Sequence, residues 1–477
     1  MVNRELFINS LPGWLFTPTY QKWIRYLIIF GVFAFSILLG VLQDMRLIVL
    51  VVGILLIGVV AIVFLRRPQL GIVVVLITCF TIPAPLTGIG SKLLAPFLLI
   101  LLLVGLWIFD MLARERRIHF ITSRTQPPAL ALLVVVLIAF FNGRINYYNF
   151  VTVAPLDAQL GGLMVFIISV LAFLLVANVV KEIKWLERLT WVFLAFAAVY
   201  LIGRTIPITR VVIRHFFQEG SDASIFWTWL VAITSSQLLF NRQLQKRWRW
   251  MLALLLAGAF YVSLVQAYDW KSGWLPALIA FFVVIWFRYP RFRIPGLVIG
   301  ILLVLFNYLI DVDQLVVGGE DYSILTRLAA WRIVLEIVKV NPLLGLGLSN
   351  YYWYTPLFPI LGYTAYFSSH NNYVDLIAQT GLIGLACFLW LAWQIGRLGW
   401  ELRSEVPDGF AKAYVIGALG GLAGTLAAGM LGDWILPFVY NVGMVGMRSS
   451  LFAWMFLGGL VALEQIVRYP KNISRAN

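Results

Sequence analysis

Residues 47–65 read LIVLVVGILLIGVVAIVFL, without one ionisable side chain. A helix needs about 20 such residues to cross roughly 30 Å of hydrocarbon. Lipid offers no partner for a bare N–H or C=O, so a spanning run of this kind must be a helix. A transmembrane barrel would alternate polar and apolar residues, and this run does not. Runs of the same character recur along the chain. Candidate spans fall at 24–42, 47–65, 70–86, 92–112, 128–141, 161–180, 185–203, 224–240, 250–267, 274–288, 294–310, 373–396, 411–431 and 447–467. Of the 477 residues, 62% are hydrophobic and 12% charged, against about 25% charged in an ordinary soluble domain. The reading is an all-α polytopic membrane protein of about 12–14 transmembrane helices. Gly-rich stretches such as 417–429 suit close helix packing. Residues 1–22 are polar and aromatic with no small-residue cleavage site after them, so no cleavable signal peptide is expected.

The net charge of +15 is mainly topological. With the N-terminus in the cytoplasm and alternating spans, every internal segment holds at least two Lys or Arg, and most of the 36 fall there, as the positive-inside rule requires. Nucleic acid is not an expected partner. Both termini are placed in the cytoplasm. Three regions follow: a transmembrane bundle (1–310), a long extracytoplasmic loop (311–372) and C-terminal transmembrane helices (373–477). Outward singletons such as Arg448 suit helix ends, where a long side chain can snorkel. The outward cluster Arg204, Arg210, Arg214 with His215 does not fit that account. Cys79 and Cys387 both lie in apolar runs and read as packing residues.

The loop opens with Asp311, Asp313, Glu320 and Asp321. An amphipathic helix follows over 322–340, with Ile324, Leu328, Trp331, Leu335 and Val338 at helical spacing. Arg327 and Trp331 share a face, and Arg332 can pair with Glu336. Asn341-Pro342 ends the helix, and Gly345 and Gly347 allow a tight turn. The aromatic stretch 351–366 reads as a surface at the membrane interface. The loop closes with Ser368-Ser369-His370-Asn371-Asn372-Tyr373. His119 falls on the cytoplasmic side, while His215 and His370 fall outside. A histidine at a span start, with arginines across the loop, makes an acid–base site facing an anion. The competing reading is a histidine that only ties the loop to the helix end, and for Arg327 an interface anchor.

The stretch from His370-Asn371-Asn372-Tyr373 to Gly381-Leu382-Ile383-Gly384 resembles a signature of the O-antigen ligase and O-antigen polymerase superfamily. There a His-Asn-x-Tyr opens a helix that runs on to Gly-Leu-Ile-Gly. Arg327, Trp331 and the run Asn341-Pro342-Leu343-Leu344-Gly345-Leu346-Gly347 resemble the family's Arg-x-x-x-Trp helix and the motif after it. The resemblance implies a GT-C-like, metal-independent, inverting glycosyltransferase without a cofactor, in a bacterial cytoplasmic (inner) membrane. Its donor would be a glycan on undecaprenyl pyrophosphate, and its acceptor a hydroxyl of a lipid or another glycan. It assigns His370 as general base and Arg327 as the pyrophosphate clamp; Trp331, Asn371 and Tyr373 come with the motifs as substrate-binding residues. Where the family often has Ser-Arg-Gly, this chain reads Asp269-Trp270-Lys271-Ser272-Gly273-Trp274. Lys271 would be the substitute cation, and Arg204, Arg210 and Arg214 could supply the missing guanidinium.

The chemistry suits these residues. The anomeric carbon already carries a good leaving group, and fixed cations stabilise the charge gained by the leaving pyrophosphate. A polymerase of the same superfamily would share motifs and chemistry. A bicarbonate-type transporter is the rival outside the enzyme class, but it calls for ionisable residues in mid-span or paired broken helices. Spans two, four and eleven have no ionisable residue near their centres. A non-catalytic scaffold would leave the combination of His370 and Arg327 unexplained.

Overall fold

A computed structural model describes residues 60–82, 94–209, 216–296 and 321–469, with a few isolated positions between them. Among the described residues, regular structure is helical, and the single β-bridge joins Ile360 and Tyr363. The helices are α1 (Pro68–Thr81), α2 (Ala95–Asp110), α3 (Gln126–Asn142), α4 (Leu156–Val179), α5 (Ile183–Thr205), α6 (Ser224–Phe240), α7 (Lys246–Tyr261), α8 (Lys271–Arg288), α9 (Asp321–Val338), α10 (Asn372–Glu405), α11 (Phe410–Leu431) and α12 (Met447–Arg468). Eight helices, some with adjoining turns, are long and apolar enough to cross a membrane, and α1, α3 and α6 are shorter apolar helices. The protein is therefore a multi-pass membrane protein. Eleven helices stand where spans are expected from sequence. The expected spans 24–42, 47–65 and 294–310 lie wholly or largely outside the described residues.

Residues 69–467 form one unit. Its centre is a tight trio of α6, α8 and α11. Small residues make the closeness possible, since dispersion contacts rather than a hydrophobic drive hold helices together in lipid. A Cβ added to Gly424 of α11 would sit 2.6 Å from the Pro276 carbonyl oxygen of α8 and 2.5 Å from a Thr228 methyl of α6. The Gly-rich stretch thus packs as its composition suggests. α12 is buried almost throughout. Its Phe452 joins Phe80, Phe193 and Phe226 in an aromatic cluster. Arg448 does not snorkel. It is 1% exposed and donates to the carbonyls of Thr78, Cys79 and Ile82 at 3.3, 3.4 and 2.7 Å. A cation there meets carbonyls at the C-terminal end of α1 and just beyond it, at the negative end of the helix dipole.

α10 is broken at Gly381 (φ +70°, ψ −174°). In an unbroken helix the Leu382 and Ile383 amides would donate to Ala378 and Gln379. Instead they donate to the carbonyls of Pro342 (2.9 Å) and Leu343 (3.3 Å), while Ala378 accepts from Leu346 at 2.8 Å. The Asn341–Gly347 turn is thereby woven into the break. A Cβ on Gly381 would lie 2.0 Å from the Leu343 oxygen, and one on Gly345 (φ +71°) 2.6 Å from the Gly381 nitrogen. The two sequence motifs are thus halves of one joint.

Candidate active site

The loop helix α9 buries Ala330, Val334, Ile337 and Val338. Of the apolar residues that share helical spacing, Val338 is buried and Trp331 packs against the core, while Leu328 and Leu335 are exposed. In a membrane protein, an apolar stripe that packs on protein and one left uncovered have the same periodicity. The aromatic stretch also differs from expectation. Tyr351 and Tyr354 are 0% exposed and join Val334, Ile337, Leu346, Val374 and Phe438 in a core beneath the loop. Only its far part, including Tyr363 and Tyr366, is exposed. Glu336 pairs with Lys339 (2.5 Å), not with Arg332. The acidic opening of the loop lies outside the described side chains.

α9 is pinned at two points. Trp331 donates its indole N–H to the Ser369 carbonyl at 2.7 Å. Arg327, one turn earlier, donates to the Leu431 carbonyl at the end of α11, at 3.1 Å. One pin holds the segment before α10, and the other holds the segment after α11. Those two segments make the site.

The first segment is 368–375. Asn371 caps α10, its side-chain oxygen accepting from the Tyr373 and Val374 amides at 2.9 and 3.3 Å. Such a cap satisfies amides that a helix start leaves open. His370, just outside the cap, is held at φ +49°. A non-glycine residue in the left-handed region persists only where its surroundings enforce it, and functional sites are where such strain collects. Inside the first turn, Asp375 accepts from the hydroxyls of Tyr351 (2.5 Å) and Ser369 (2.7 Å). Tyr351 in turn stacks on Phe438, with ring centroids 4.8 Å apart.

The second segment is 432–446, between α11 and α12. Asn372 clamps it, accepting from the Ile435 amide (2.8 Å) and donating to the Leu436 carbonyl (2.8 Å). This fixes Asp433, which is 1% exposed. One Asp433 oxygen accepts from the Phe438 amide at 2.7 Å, and the other lies 2.5 Å from Asn441 Nδ2. The same Asn441 nitrogen lies 2.9 Å from His370 Nδ1. Neither Asp433 nor Asn441 stands out in the sequence. The available signal is that Asp433 is the sole acidic residue between Asp408 and Glu464.

The charges act on one another. Burial pushes the Asp433 carboxyl above its usual range, against the pull of His370 and of its hydrogen-bond donors. Burial pushes His370 below the ordinary imidazole value; Asp433 opposes this and Arg327 adds to it. Burial likewise lowers Arg327, and Asp433 opposes it. The pair His370 and Arg327 expected from sequence is thus brought together, around an acid the sequence reading did not include.

The other expected residues separate. Lys271 begins α8, and the adjacent Trp270 sets its ring edge-on to Trp434, centroids 5.9 Å apart. Since Trp434 follows Asp433, the Lys271 segment is anchored beside the site. Tyr373 donates to the Leu426 carbonyl at 2.7 Å. Trp331, Asn371 and Tyr373 therefore each hold backbone within the site's frame. Arg204, at the end of α5, lines a different cavity of about 550 Å³ with Tyr200, Gln218, Glu219, Asp222 and Gln266. Arg210, Arg214 and His215 lie outside the described residues.

Residues 269–389 match the family model described as O-antigen ligase. No curated protein sequence matches the chain. The match spans Lys271, Arg327, Trp331 and His370 and ends within α10, short of Asp433 and Asn441. That match, over the segment holding both interlocked motifs, supports placing the chain in the O-antigen ligase and O-antigen polymerase superfamily.

Proposed function

We propose that the protein is an O-antigen ligase-type glycosyltransferase with a GT-C-like bundle, moving a glycan from undecaprenyl pyrophosphate to a hydroxyl of an acceptor lipid or glycan. The observation that carries this reading is His370, strained at the mouth of α10 and facing Asn441, with Arg327 pinned to the neighbouring segment. A base and a cation set around one point are what displacement of a pyrophosphate by a hydroxyl requires. His370 takes the acceptor proton while Arg327 and Lys271 hold the pyrophosphate. Guanidinium forks suit phosphate oxygens. Attack opposite the leaving group inverts the anomeric carbon, and the prenyl tail lies along the apolar surface. Neither metal nor cofactor has a step in this scheme. The cavity of Arg204 holds two carboxylates of its own, Glu219 and Asp222, which suits sugar hydroxyls better than pyrophosphate. The distribution of Lys and Arg supports an inner-membrane orientation with cytoplasmic termini and an extracytoplasmic site.

The test is to incubate reconstituted protein with a glycan on undecaprenyl pyrophosphate and an acceptor lipid, then assay released undecaprenyl pyrophosphate. Release coupled to acceptor glycosylation is expected. Release with the donor alone, accompanied by longer lipid-linked chains, would select polymerisation. Bicarbonate flux without any release would overturn the reading.

A further inference from the structure

His370 has two ring nitrogens, and a base acting on an acceptor needs one of them bare. Nδ1 is occupied by Asn441 at 2.9 Å. Nε2 makes no hydrogen bond among the described residues. The same end of the Asn441 amide also meets Asp433, at 2.5 Å. One amide end therefore serves two neighbours. An amide end is either an NH2, which donates to both, or an oxygen, which accepts from both. Nitrogen and oxygen are alike in size, and Asn441 is exposed, so a half-turn of the amide exchanges its ends while solvent satisfies the other.

The two senses have opposite consequences. With NH2 inward, Asn441 donates to the Asp433 carboxylate and to Nδ1. The hydrogen of neutral imidazole then sits on Nε2, which has no pair to offer. With oxygen inward, Asn441 accepts from Nδ1–H and from a protonated Asp433, and Nε2 is bare. We infer that Asp433 and Asn441 are positioning residues that select the tautomer of His370, a proton on Asp433 being what frees Nε2 to act as base. This rests on the proposed glycosyl transfer. In that step the acceptor oxygen bonds to the anomeric carbon as the bond to pyrophosphate breaks, its electron pair leaving with the phosphate. The hydroxyl proton passes to Nε2, and the Asp433 proton stays in place.

Burial supports the required state, because it favours the neutral form of Asp433. The ionisable groups that act on Asp433 are His370 from the start of α10, Arg327 from α9, Asp375 from the first turn of α10 and Tyr351 from the loop core. Arg327 and protonated His370 favour the carboxylate, while Asp375, when charged, favours the acid.

The experiment is the pH dependence of kcat for reconstituted wild type, D433N and N441L, with H370A as control. Wild type should lose activity as pH rises through the titration of Asp433, which turns Asn441 and closes Nε2. In D433N the new amide can donate to the Asn441 oxygen at every pH while its own oxygen accepts from Phe438. Its alkaline limb should move up by at least about one pH unit. N441L, at an exposed position, should lower kcat about tenfold, with KM for the lipid donor unchanged and the Asp433-dependent limb gone. A wild-type alkaline limb in D433N, or wild-type kcat and limb in N441L, would overturn the inference. Should H370A transfer glycan at the wild-type rate, the proposed function itself falls; should H370A be inactive while D433N and N441L behave as wild type, only the tautomer selection falls.

Discussion

Arg327 donates to the Leu431 carbonyl at 3.1 Å, two residues before Asp433. The loop helix is thus tied to the segment that carries the buried acid. A guanidinium that spends one N–H on a carbonyl keeps others for a phosphate. Arg327→Lys retains the charge and loses the fork, so transfer should fall by about 10- to 100-fold, with the thermal midpoint in detergent little changed. A wild-type rate would reduce Arg327 to an anchor.

His370→Ala should lower kcat by about a hundredfold or more while the protein still inserts. In the wild type the acid limb of kcat should lie below the ordinary imidazole value of about 6.5, because burial and Arg327 hold His370 in its neutral form. Protonation removes the base, so activity is kept above that limb and lost as pH falls through it. An acid limb at or above the ordinary value would contradict the burial of this histidine.

Gly381→Ala should damage folding. The φ of +70° costs an alanine about 1–3 kcal/mol by itself, and the added Cβ would meet the Leu343 oxygen at 2.0 Å. The expected result is a lower detergent thermal midpoint and weaker protection of the Leu346, Leu382 and Ile383 amides in hydrogen exchange. An unchanged midpoint would mean that the joint is softer than its contacts imply.

Tyr351→Phe removes a hydroxyl that donates to Asp375 at 2.5 Å and accepts from the Ser369 amide at 3.2 Å. Both partners are buried. Leaving them short of a partner should cost about 1–3 kcal/mol of stability, read as a shift in thermal unfolding. Tyr351 is held un-ionised by burial and by the nearby acids Asp375 and Asp433, whereas in the unfolded chain it ionises at about 10, so the stability advantage of wild type over the variant should shrink as pH rises through the ordinary tyrosine range.

The spans were legible because the bilayer demands a run of fixed length and a helix to satisfy its backbone. Arg327 and His370 were legible because each sits in a motif. Those motifs have a structural cause, since the Asn341–Gly347 turn and the Gly381 break complete each other's hydrogen bonds. Asp433 and Asn441 were not legible. They are single polar residues in a connection between two spans, and what singles them out is the Asn372 clamp, a contact across 63 residues of sequence. The α9 stripe holds for Trp331 and Val338 and fails for Leu328 and Leu335, because apolar spacing marks a stripe without saying what lies against it. The inward placement of Arg448 was missed for a related reason: the carbonyls it serves belong to α1, far away in sequence.

The break at Gly381 also bears on how the protein sits in a bilayer. Above it, residues 372–380 are fastened to the 341–346 turn and to the 433–436 strap; below it, α10 runs on as an apolar rod. A membrane that thickens or thins asks its helices to tilt. In a continuous helix that tilt would rotate the cap and carry His370 with it. Here the turn is bonded on both sides of the break, to Ala378 above it and to Leu382 and Ile383 below it, so the angle at the joint is set by protein contacts and not by the lipid. The reacting groups are thereby insulated from bilayer thickness, so transfer rates should vary little across reconstitutions in lipids of different chain length.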